Sequence, residues 1–228
     1  MARVIAFNCS PRMDKGNTAL ILNPFISGMK RAGANVELLY TRRLKIEPCT
    51  GDFQCWSKTP GECRFHDDVP ELLRKMSRAD TWVFGVPVHA KLPGELQNLM
   101  NRTMPLFEPT VVLREGSLLP SRRKDVRLKS IALISSCSYW GLENFDLVVE
   151  IFEFFARAMN VKLARPLLRP NADILRAKIK KGDDCSHILE AAEDAGAQLA
   201  KKGNVRRETA QVVQVPLISL KQFLAEYG

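Results

Sequence analysis

Residues 4–18, VIAFNCSPRMDKGNT, decide the fold of this chain of 228 residues. Val4–Phe7 is a short continuous apolar run, which is typical of a parallel strand buried on both faces. Asn17 and Thr18 are residue types that favour the start of a helix. A strand that passes through a polar turn directly into a helix predicts the opening of an α/β fold.

Four more apolar runs follow, and segments with helical spacing separate them. The predicted strands are Val4–Phe7, Val36–Tyr40, Trp82–Val86, Ile131–Ser135 and about 161–168. The predicted helices carry apolar residues three and four apart within 21–29, 72–79, 92–100, 145–159 and 188–199. This alternation predicts a three-layer α/β fold. Its five-stranded parallel sheet takes the order 2-1-3-4-5, with helices on both faces.

The chain continues beyond the last of these helices. After Gly203 comes a polar stretch over residues 204–211, and a final helix is predicted over about 219–227. We therefore expect one domain over residues 1–203, with a cysteine-containing insert at 47–66. A C-terminal extension with an extra helix covers residues 204–228.

The formal charge of +9 raises the question of nucleic-acid binding. Much of the excess lies in residues 114–129, where no aromatic residues interleave with the basic ones. Such a segment, without a nucleic-acid motif, favours either a solvated face or an attraction for anionic cofactors and acidic, ferredoxin-like redox proteins over nucleic-acid binding.

Two features of the sequence bear on the cellular location of the protein. No apolar run approaches the roughly 18 residues that span a bilayer, so we expect no membrane partner. The first residues predict a strand rather than a signal peptide, and the six cysteines do not indicate a disulfide scaffold. We expect a cytoplasmic protein.

The turn between the first strand and the first helix predicts a phosphate site. A helix N-terminus offers unpaired N–H groups and the positive end of a dipole to an anion. We assign four side chains of the turn to a phosphate: Ser10, Arg12, Asn17 and Thr18. A plain helix cap is the alternative. The turn is not a P-loop, because Gly16 is followed by asparagine rather than by Lys and Ser or Thr, and it is not a GxGxxG turn either.

Three stretches carry a family resemblance. Residues 9–18 resemble the GSPR…GNT loop of the NAD(P)H-dependent FMN reductase family and its iron–sulfur flavoprotein branch. Residues 80–102 resemble the family's segment around the third strand and the following helix. Residues 48–68 resemble the cysteine-containing insert of that branch. Together they cover about the first 105 residues in the family's order.

The resemblance implies a flavodoxin-like fold, a bound FMN, and NADPH or NADH as reductant. It implies that one side of the isoalloxazine ring is lined by Pro87, Val88, His89 and Ala90. It implies that the other edge is approached by Ser135, Ser136, Cys137 and Gly141. No residue is assigned as a catalytic acid or base, because the cofactor supplies the reaction.

Two departures from the family pattern concern the ring. His89 stands where the family often has tyrosine. The glycine-rich loop after the fourth strand is replaced by residues 135–141, SSCSYWG. Backbone N–H groups of this loop can still donate hydrogen bonds to the flavin.

The insert carries three cysteines, where a [4Fe–4S] cluster normally takes four thiolates. Asp52 stands where the branch has another cysteine. The candidate metal ligands are Cys49, Asp52, Cys55 and Cys63. Three interpretations stay open: an iron–sulfur cluster with Asp52 as an oxygen ligand, a zinc site, or an insert without metal whose cysteines pack near a subunit contact.

The leading functional hypothesis is an FMN-dependent NAD(P)H oxidoreductase that passes electrons to a quinone, flavin, metal ion or protein. The alternative is a flavodoxin-like or iron–sulfur flavoprotein electron carrier without nicotinamide turnover. A second apolar row at Leu147, Ile151, Phe154 and Ala158 favours a homodimer or homotetramer.

Overall fold

The computed structural model describes residues 1–88 and 92–228. The strands are β1 (Arg3–Asn8), β2 (Asn35–Tyr40), β3 (Thr81–Pro87), β4 (Phe107–Arg114), β5 (Ser117–Arg122), β6 (Ser130–Ser136), β7 (Lys162–Leu163) and β8 (Leu167–Arg169). The helices are α1 (Asn17–Arg31), α2 (Gln54–Ser57), α3 (Val69–Arg78), α4 (Gly94–Asn101), α5 (Asp146–Ala158), α6 (Ala172–Lys181), α7 (Ser186–Lys202), α8 (Arg207–Gln214) and α9 (Leu220–Tyr227). No helix of the described ranges is both long and apolar enough to cross a bilayer.

The main sheet is parallel and follows the order β2-β1-β3-β6, with β7 and β8 both pairing with β6. The predicted order 2-1-3-4-5 is therefore confirmed, and the fifth strand consists of two short pieces. Pro166 lies between the pieces and has no N–H to donate to the ladder, which accounts for the interruption.

The sheet is buried on both faces, as the apolar strand composition requires. Along β1, Ile5 and Phe7 belong to one core cluster, which includes side chains of α3, α4 and α5. Val4 and Ala6 belong to the opposite cluster, with α1 and α7. Successive strand residues point to opposite faces, so this single strand anchors both layers.

The helices α1 and α7 pack closely because two glycines face each other's backbones. A Cβ on Gly28 would lie 1.7 Å from the carbonyl oxygen of Glu193. A Cβ on Gly196 would lie 1.9 Å from the carbonyl oxygen of Phe25. Any side chain at either position would push the two helices apart.

The structure contains elements that the apolar spacing did not predict. Residues 107–122 form the antiparallel hairpin β4–β5, where we predicted no strand. The helix α6 was not predicted, and neither was α8, which overlaps the polar stretch 204–211. The helix α8 buries only Thr209, Ala210 and Val213, which is too few apolar positions for a clear periodicity.

The C-terminal extension is tied to the body by a buried arginine. Arg169, at the end of β8, donates to the carbonyl oxygens of Val213 at 2.8 Å and Val215 at 2.7 Å. Burial lowers the pKa of Arg169 to about 10. The extra helix α9 is confirmed, and Leu220, Leu224 and Tyr227 on it are exposed.

A buried ion pair clamps the base of the insert to the end of α4. The Asp67 carboxylate accepts from Arg102 Nη1 at 2.8 Å and Nη2 at 3.0 Å, and both side chains are at most 1% exposed. Arg102 also donates to the Glu47 carbonyl oxygen at 2.7 Å. Burial raises the pKa of Asp67, but the hydrogen bonds from Arg102 and from two backbone N–H groups outweigh it and lower the pKa below its ordinary value.

The substitution Arg102→Met should lower the free energy of unfolding by about 3–5 kcal/mol, because it leaves the Asp67 carboxylate buried without its partner. The measurement is urea unfolding at neutral pH. The contribution of Asp67 is fully present above about pH 4, the ordinary pKa of an unfolded aspartate, and is lost as the pH falls through the lower pKa of the folded state. The gap between wild type and variant should therefore shrink in acid.

The matched control is Arg74→Met, which breaks the exposed pair between Arg74 and Glu71. Exposed pairs of this kind contribute about 0–1 kcal/mol. An Arg102→Met variant no less stable than this control would show that the buried pair does not hold the insert.

Candidate functional site

A polar cavity of about 240 Å³ lies where the ends of β1, β3 and β6 meet the start of α6. Parallel strands place their carboxyl ends at one edge of the sheet, and ligands of such folds bind where the strand order reverses. The cavity is lined by Ser10, Pro11, Arg12, Asn17, Thr18, Pro87, Val88, Ser136, Cys137, Ser138, Ala172 and Asp173.

Local hydrogen bonds fix the turn after β1. The Ser10 N–H donates to Asn8 Oδ1 at 3.0 Å, and the Arg12 N–H donates to Ser10 Oγ at 3.3 Å. The Met13 N–H donates to the Ser10 carbonyl oxygen at 2.9 Å, which leads into a short 3₁₀ turn over Met13–Lys15. The turn is therefore a defined cradle.

Gly16 closes this cradle because a side chain would not fit there. A Cβ on Gly16 would lie 2.2 Å from Ser10 Oγ and 3.1 Å from the Met13 carbonyl oxygen. The backbone of Gly16 is extended, with φ −77° and ψ 151°, so any residue could adopt its conformation. The requirement for glycine is thus one of space.

The N-terminus of α1 borders the cavity, since Asn17 and Thr18 both line it. Within the described residues no side chain caps this helix, so its first N–H groups are not satisfied by a capping oxygen. The buried Thr18 and Ser136 hydroxyls lie 2.8 Å apart and join the first turn of α1 to the end of β6. Unsatisfied N–H groups beside hydroxyls suit an anion.

Two arginines and one aspartate converge on Asn17. Its Oδ1 accepts from Arg12 Nη2 at 3.2 Å and from Arg176 Nε at 2.5 Å. Its Nδ2 donates to Asp173, which also accepts from Ser138 Oγ. Arg176 further donates to the Gly16 carbonyl oxygen at 2.7 Å, so α6 holds the turn after β1 in place.

The structure brings most of the predicted cofactor residues together. Eight of them line the polar cavity: Ser10, Arg12, Asn17, Thr18, Pro87, Val88, Ser136 and Cys137. Ser135 instead donates from a buried hydroxyl to the Val86 carbonyl oxygen at 2.8 Å, a contact between strands. Gly141 is buried beside the Glu143 carboxylate. The predicted ring residues His89 and Ala90 lie outside the described residues.

Sequence reasoning missed three polar residues around the cavity. They are Ser138, Asp173 and Arg176. The last two lie on α6, whose start is marked by Asn171 in the left-handed conformation. That asparagine, followed by Ile174 and Leu175 and ended by Gly182, is a signal that could have found the helix.

Cys137 is a protonated thiol at neutral pH. Its burial is the main reason that its pKa rises to about 11, and a hydrogen bond with the Tyr139 backbone only partly opposes this rise. Burial also raises the pKa of the Cys9 thiol. Neither sulfur is suited to be a nucleophile or a proton donor near pH 7.

The residues at the cavity fit the phosphate end of FMN. The cradle closed by Gly16, the uncapped start of α1, two hydroxyls and the Arg12 guanidinium supply the donors that a phosphate monoester takes. The hydroxyl, amide and guanidinium groups in the lining match the phosphate end of the cofactor.

The cysteine insert does not fit a four-thiolate cluster. Asp52, the candidate oxygen ligand, already accepts from Thr50 Oγ1, the Gln54 N–H and Arg64 Nε. Cys49 is exposed. In the ranges that the structure describes, no three His, Cys, Asp or Glu side chains are gathered as a metal site. The assignment of Cys49, Asp52, Cys55 and Cys63 to a metal stays a prediction.

A second, larger cavity of about 820 Å³ lies between the insert, the hairpin and the outer face of α5. All three insert cysteines line it, together with Leu147, Ile151, Phe154 and Ala158. Leu147 is 48% and Phe154 53% exposed. Exposed apolar surface of this kind is typical of protein contacts, and the predicted homo-oligomer remains an expectation.

The sequence profile of a family described as NADPH-dependent FMN reductase matches residues 2–161 of this chain. The matched range contains β1 to β6, the turn after β1 and the cysteine insert.

Curated relatives match the chain over part of its length. An iron–sulfur flavoprotein of Methanocaldococcus jannaschii is 34% identical over 105 residues, which are 46% of this chain and 53% of that protein. An iron–sulfur flavoprotein of Archaeoglobus fulgidus is 30% identical over 102 residues, which are 44% of this chain and 48% of that protein. The chain thus aligns with about half the length of these relatives.

Solved structures share the fold. An NAD(P)H:quinone oxidoreductase from Methanothermobacter marburgensis has a TM-score of 0.62 at 18% identity, covering 87% of this chain and 96% of that one. An FMN-dependent NADH-azoreductase from Bacillus anthracis, solved in complex with FMN, has a TM-score of 0.61 at 15% identity, covering 88% and 100%. The predicted flavodoxin-like fold is confirmed.

The substitution Gly16→Ala tests the cradle. The added methyl group would meet Ser10 Oγ and force the turn to open, so FMN should bind about tenfold more weakly and the protein should lose about 1–3 kcal/mol of stability. Fluorescence quenching of FMN and urea unfolding measure the two effects. Gly94→Ala is the matched control, because no described atom lies within 4 Å of its Cβ position. Equal FMN affinities for the two variants would contradict the role of the cradle.

Proposed function

The chain belongs to the NADPH-dependent FMN reductase family, and from this premise we propose that it is an FMN-dependent NAD(P)H oxidoreductase. The single observation that supports the proposal best is the polar cavity, where the donors of the turn after β1 converge with those at the end of β6. A cavity of this chemistry at this edge of the sheet suits a phosphate monoester.

The chain's own residues would bind and orient the cofactor. The phosphate would be held by four side chains, those of Ser10, Arg12, Asn17 and Thr18. The segment 87–90 would flank the isoalloxazine ring from the end of β3. Bound FMN would supply the exchange of two electrons with a nicotinamide. Cys137 would stay protonated beside the ring edge and take no part in proton transfer.

Electrostatics favours anionic ligands at this site. The chain carries a formal charge of +9. Arg12 lines the cavity, and Arg176 donates to the side chain of Asn17, which also lines it. Positive charge of this kind raises the local concentration of FMN and of a nicotinamide cofactor, which are both anions.

Several basic residues of the hairpin region have structural partners. Arg114 donates to the Ala158 carbonyl oxygen at 3.0 Å, and Arg122 donates to the Leu128 carbonyl oxygen at 2.6 Å. Lys129 pairs with Asp80 at 2.9 Å. These contacts support a role of the segment in holding the hairpin rather than in binding a nucleic acid.

We further propose that NADPH or NADH is the reductant and that the acceptor is a quinone, a free flavin, a metal ion or a redox protein. The quinone and azo reductases among the solved structures of the same fold support the first of these classes as the starting point for assays.

The test is anaerobic reduction of the purified yellow protein. NADPH or NADH should bleach the visible absorbance of the flavin within seconds, and addition of a quinone should restore it. The same assay with free FMN and with ferric ion ranks the acceptors. A flavin that only dithionite or a protein donor reduces would contradict the proposal and favour an electron carrier. A colourless protein that refuses added FMN would contradict both.

A separate measurement concerns the insert. Because the insert offers three thiolates and a carboxylate that is already hydrogen-bonded, we expect anaerobically purified protein to contain about one FMN but not the four iron and four sulfide of a complete cluster. Iron, zinc and acid-labile sulfide analysis checks this. Four iron and four sulfide per chain, lost together in a Cys55→Ser variant, would overturn the expectation.

A further inference from the structure

Asp173 is an acid in a cavity that otherwise suits an anion. It lies in the first turn of α6 and lines the polar cavity together with the turn after β1. Among the described lining residues it is the one carboxylate. A carboxylate at this place carries the same sign of charge as a phosphate monoester, so its presence needs an explanation.

The contacts of Asp173 supply one. Its carboxylate accepts from Asn17 Nδ2 and from Ser138 Oγ, which are two donors at the rim of the cavity. Asn17 Oδ1 is at the same time held by Arg12 and Arg176, so the Asn17 amide is oriented with its N–H groups toward Asp173. The carboxylate therefore uses donors that an incoming phosphate would also use.

We infer that the Asp173 carboxylate is an internal competitor for the phosphate group of FMN, and that it sets how strongly the cavity prefers FMN to unphosphorylated riboflavin. The inference rests on the proposed function, since it concerns the same cavity. A phosphate can replace the carboxylate at these donors because the local charge is positive. Arg12 and Arg176 provide two positive charges beside Asn17, against the single negative charge of Asp173.

The competition makes binding of the phosphate weaker than the two arginines alone would allow. A phosphate must take the Asn17 and Ser138 donors from Asp173 and must lie close to a like charge. Riboflavin has no phosphate, so it meets neither cost. Asp173 thus opposes binding of the phosphate but not of the ring. Replacing Asp173 should therefore change the affinity for FMN and leave the affinity for riboflavin nearly unchanged.

The substitution Asp173→Asn removes the charge and keeps the size. It should tighten FMN binding about five- to tenfold, because the like charge disappears and asparagine keeps only one of the two acceptor oxygens that compete for Asn17 and Ser138. Riboflavin affinity should stay within about twofold. Dissociation constants of both flavins, measured by fluorescence quenching at fixed ionic strength, report the ratio. The matched control is Asp194→Asn on α7, which changes the net charge equally while its carboxylate pairs with Arg31.

Three outcomes would overturn the inference: FMN binds Asp173→Asn as in the wild type or more weakly, riboflavin tightens as much as FMN, or Asp194→Asn gives the same gain. The failure of the proposed function would look different, since the wild type would then bind neither flavin.

If the wild type binds neither flavin, the inference can still be tested with inorganic phosphate. Because it needs no flavin site, its stabilising effect on the melting temperature reports the anion site alone. A larger rise in melting temperature for Asp173→Asn than for the wild type supports the competition, and an equal or smaller rise overturns it.

Discussion

The close approach of the first turn of α1 to the ends of the strands is the constraint on which this site depends. Gly16 lets the turn fold over Ser10, where a Cβ would lie 2.2 Å from the hydroxyl oxygen. Gly85 in β3 lets α1 settle on the sheet, since a Cβ there would lie 2.6 Å from Leu22 Cδ2 and 3.2 Å from Thr18 Cγ2. The two glycines set the height of the helix above the sheet. The donors at its N-terminus then reach the edge where β1, β3 and β6 end.

The parallel core could be predicted from the sequence because its strands are buried on both faces and therefore appear as continuous apolar runs. The missed elements lack that property. The hairpin β4–β5 has exposed Val111, Leu113 and Leu118 beside basic residues, so its apolar positions do not mark an interior. The helices α6 and α8 are short and bury few side chains, and tertiary packing rather than periodicity decides them. The split of the last strand at Pro166 could have been read from the proline itself.

The candidate site divides in the same way. The residues of the contiguous segment from Ser10 to Thr18 were predictable because a strand–turn–helix junction places neighbours in sequence at the same site. Asp173 and Arg176 lie 156 and 160 residues away from their partners Asn17 and Gly16, and only the fold brings them there. Their side chains give no signal in the sequence, since an acid early in a helix and a base one turn later are ordinary on a solvated face.

The insert has a structural role that does not require a metal. Trp56 donates from Nε1 to the Met104 carbonyl oxygen at 2.9 Å, and Arg102 joins the Glu47 carbonyl oxygen to the buried Asp67 carboxylate. These contacts fix the base and the short helix α2 against the segment that follows α4. The thiols line the apolar cavity shared with α5, where Cys49 is exposed and Cys55 and Cys63 are half-buried. An insert anchored this way packs against the end of α4 with or without a cluster, so its presence alone does not argue for iron.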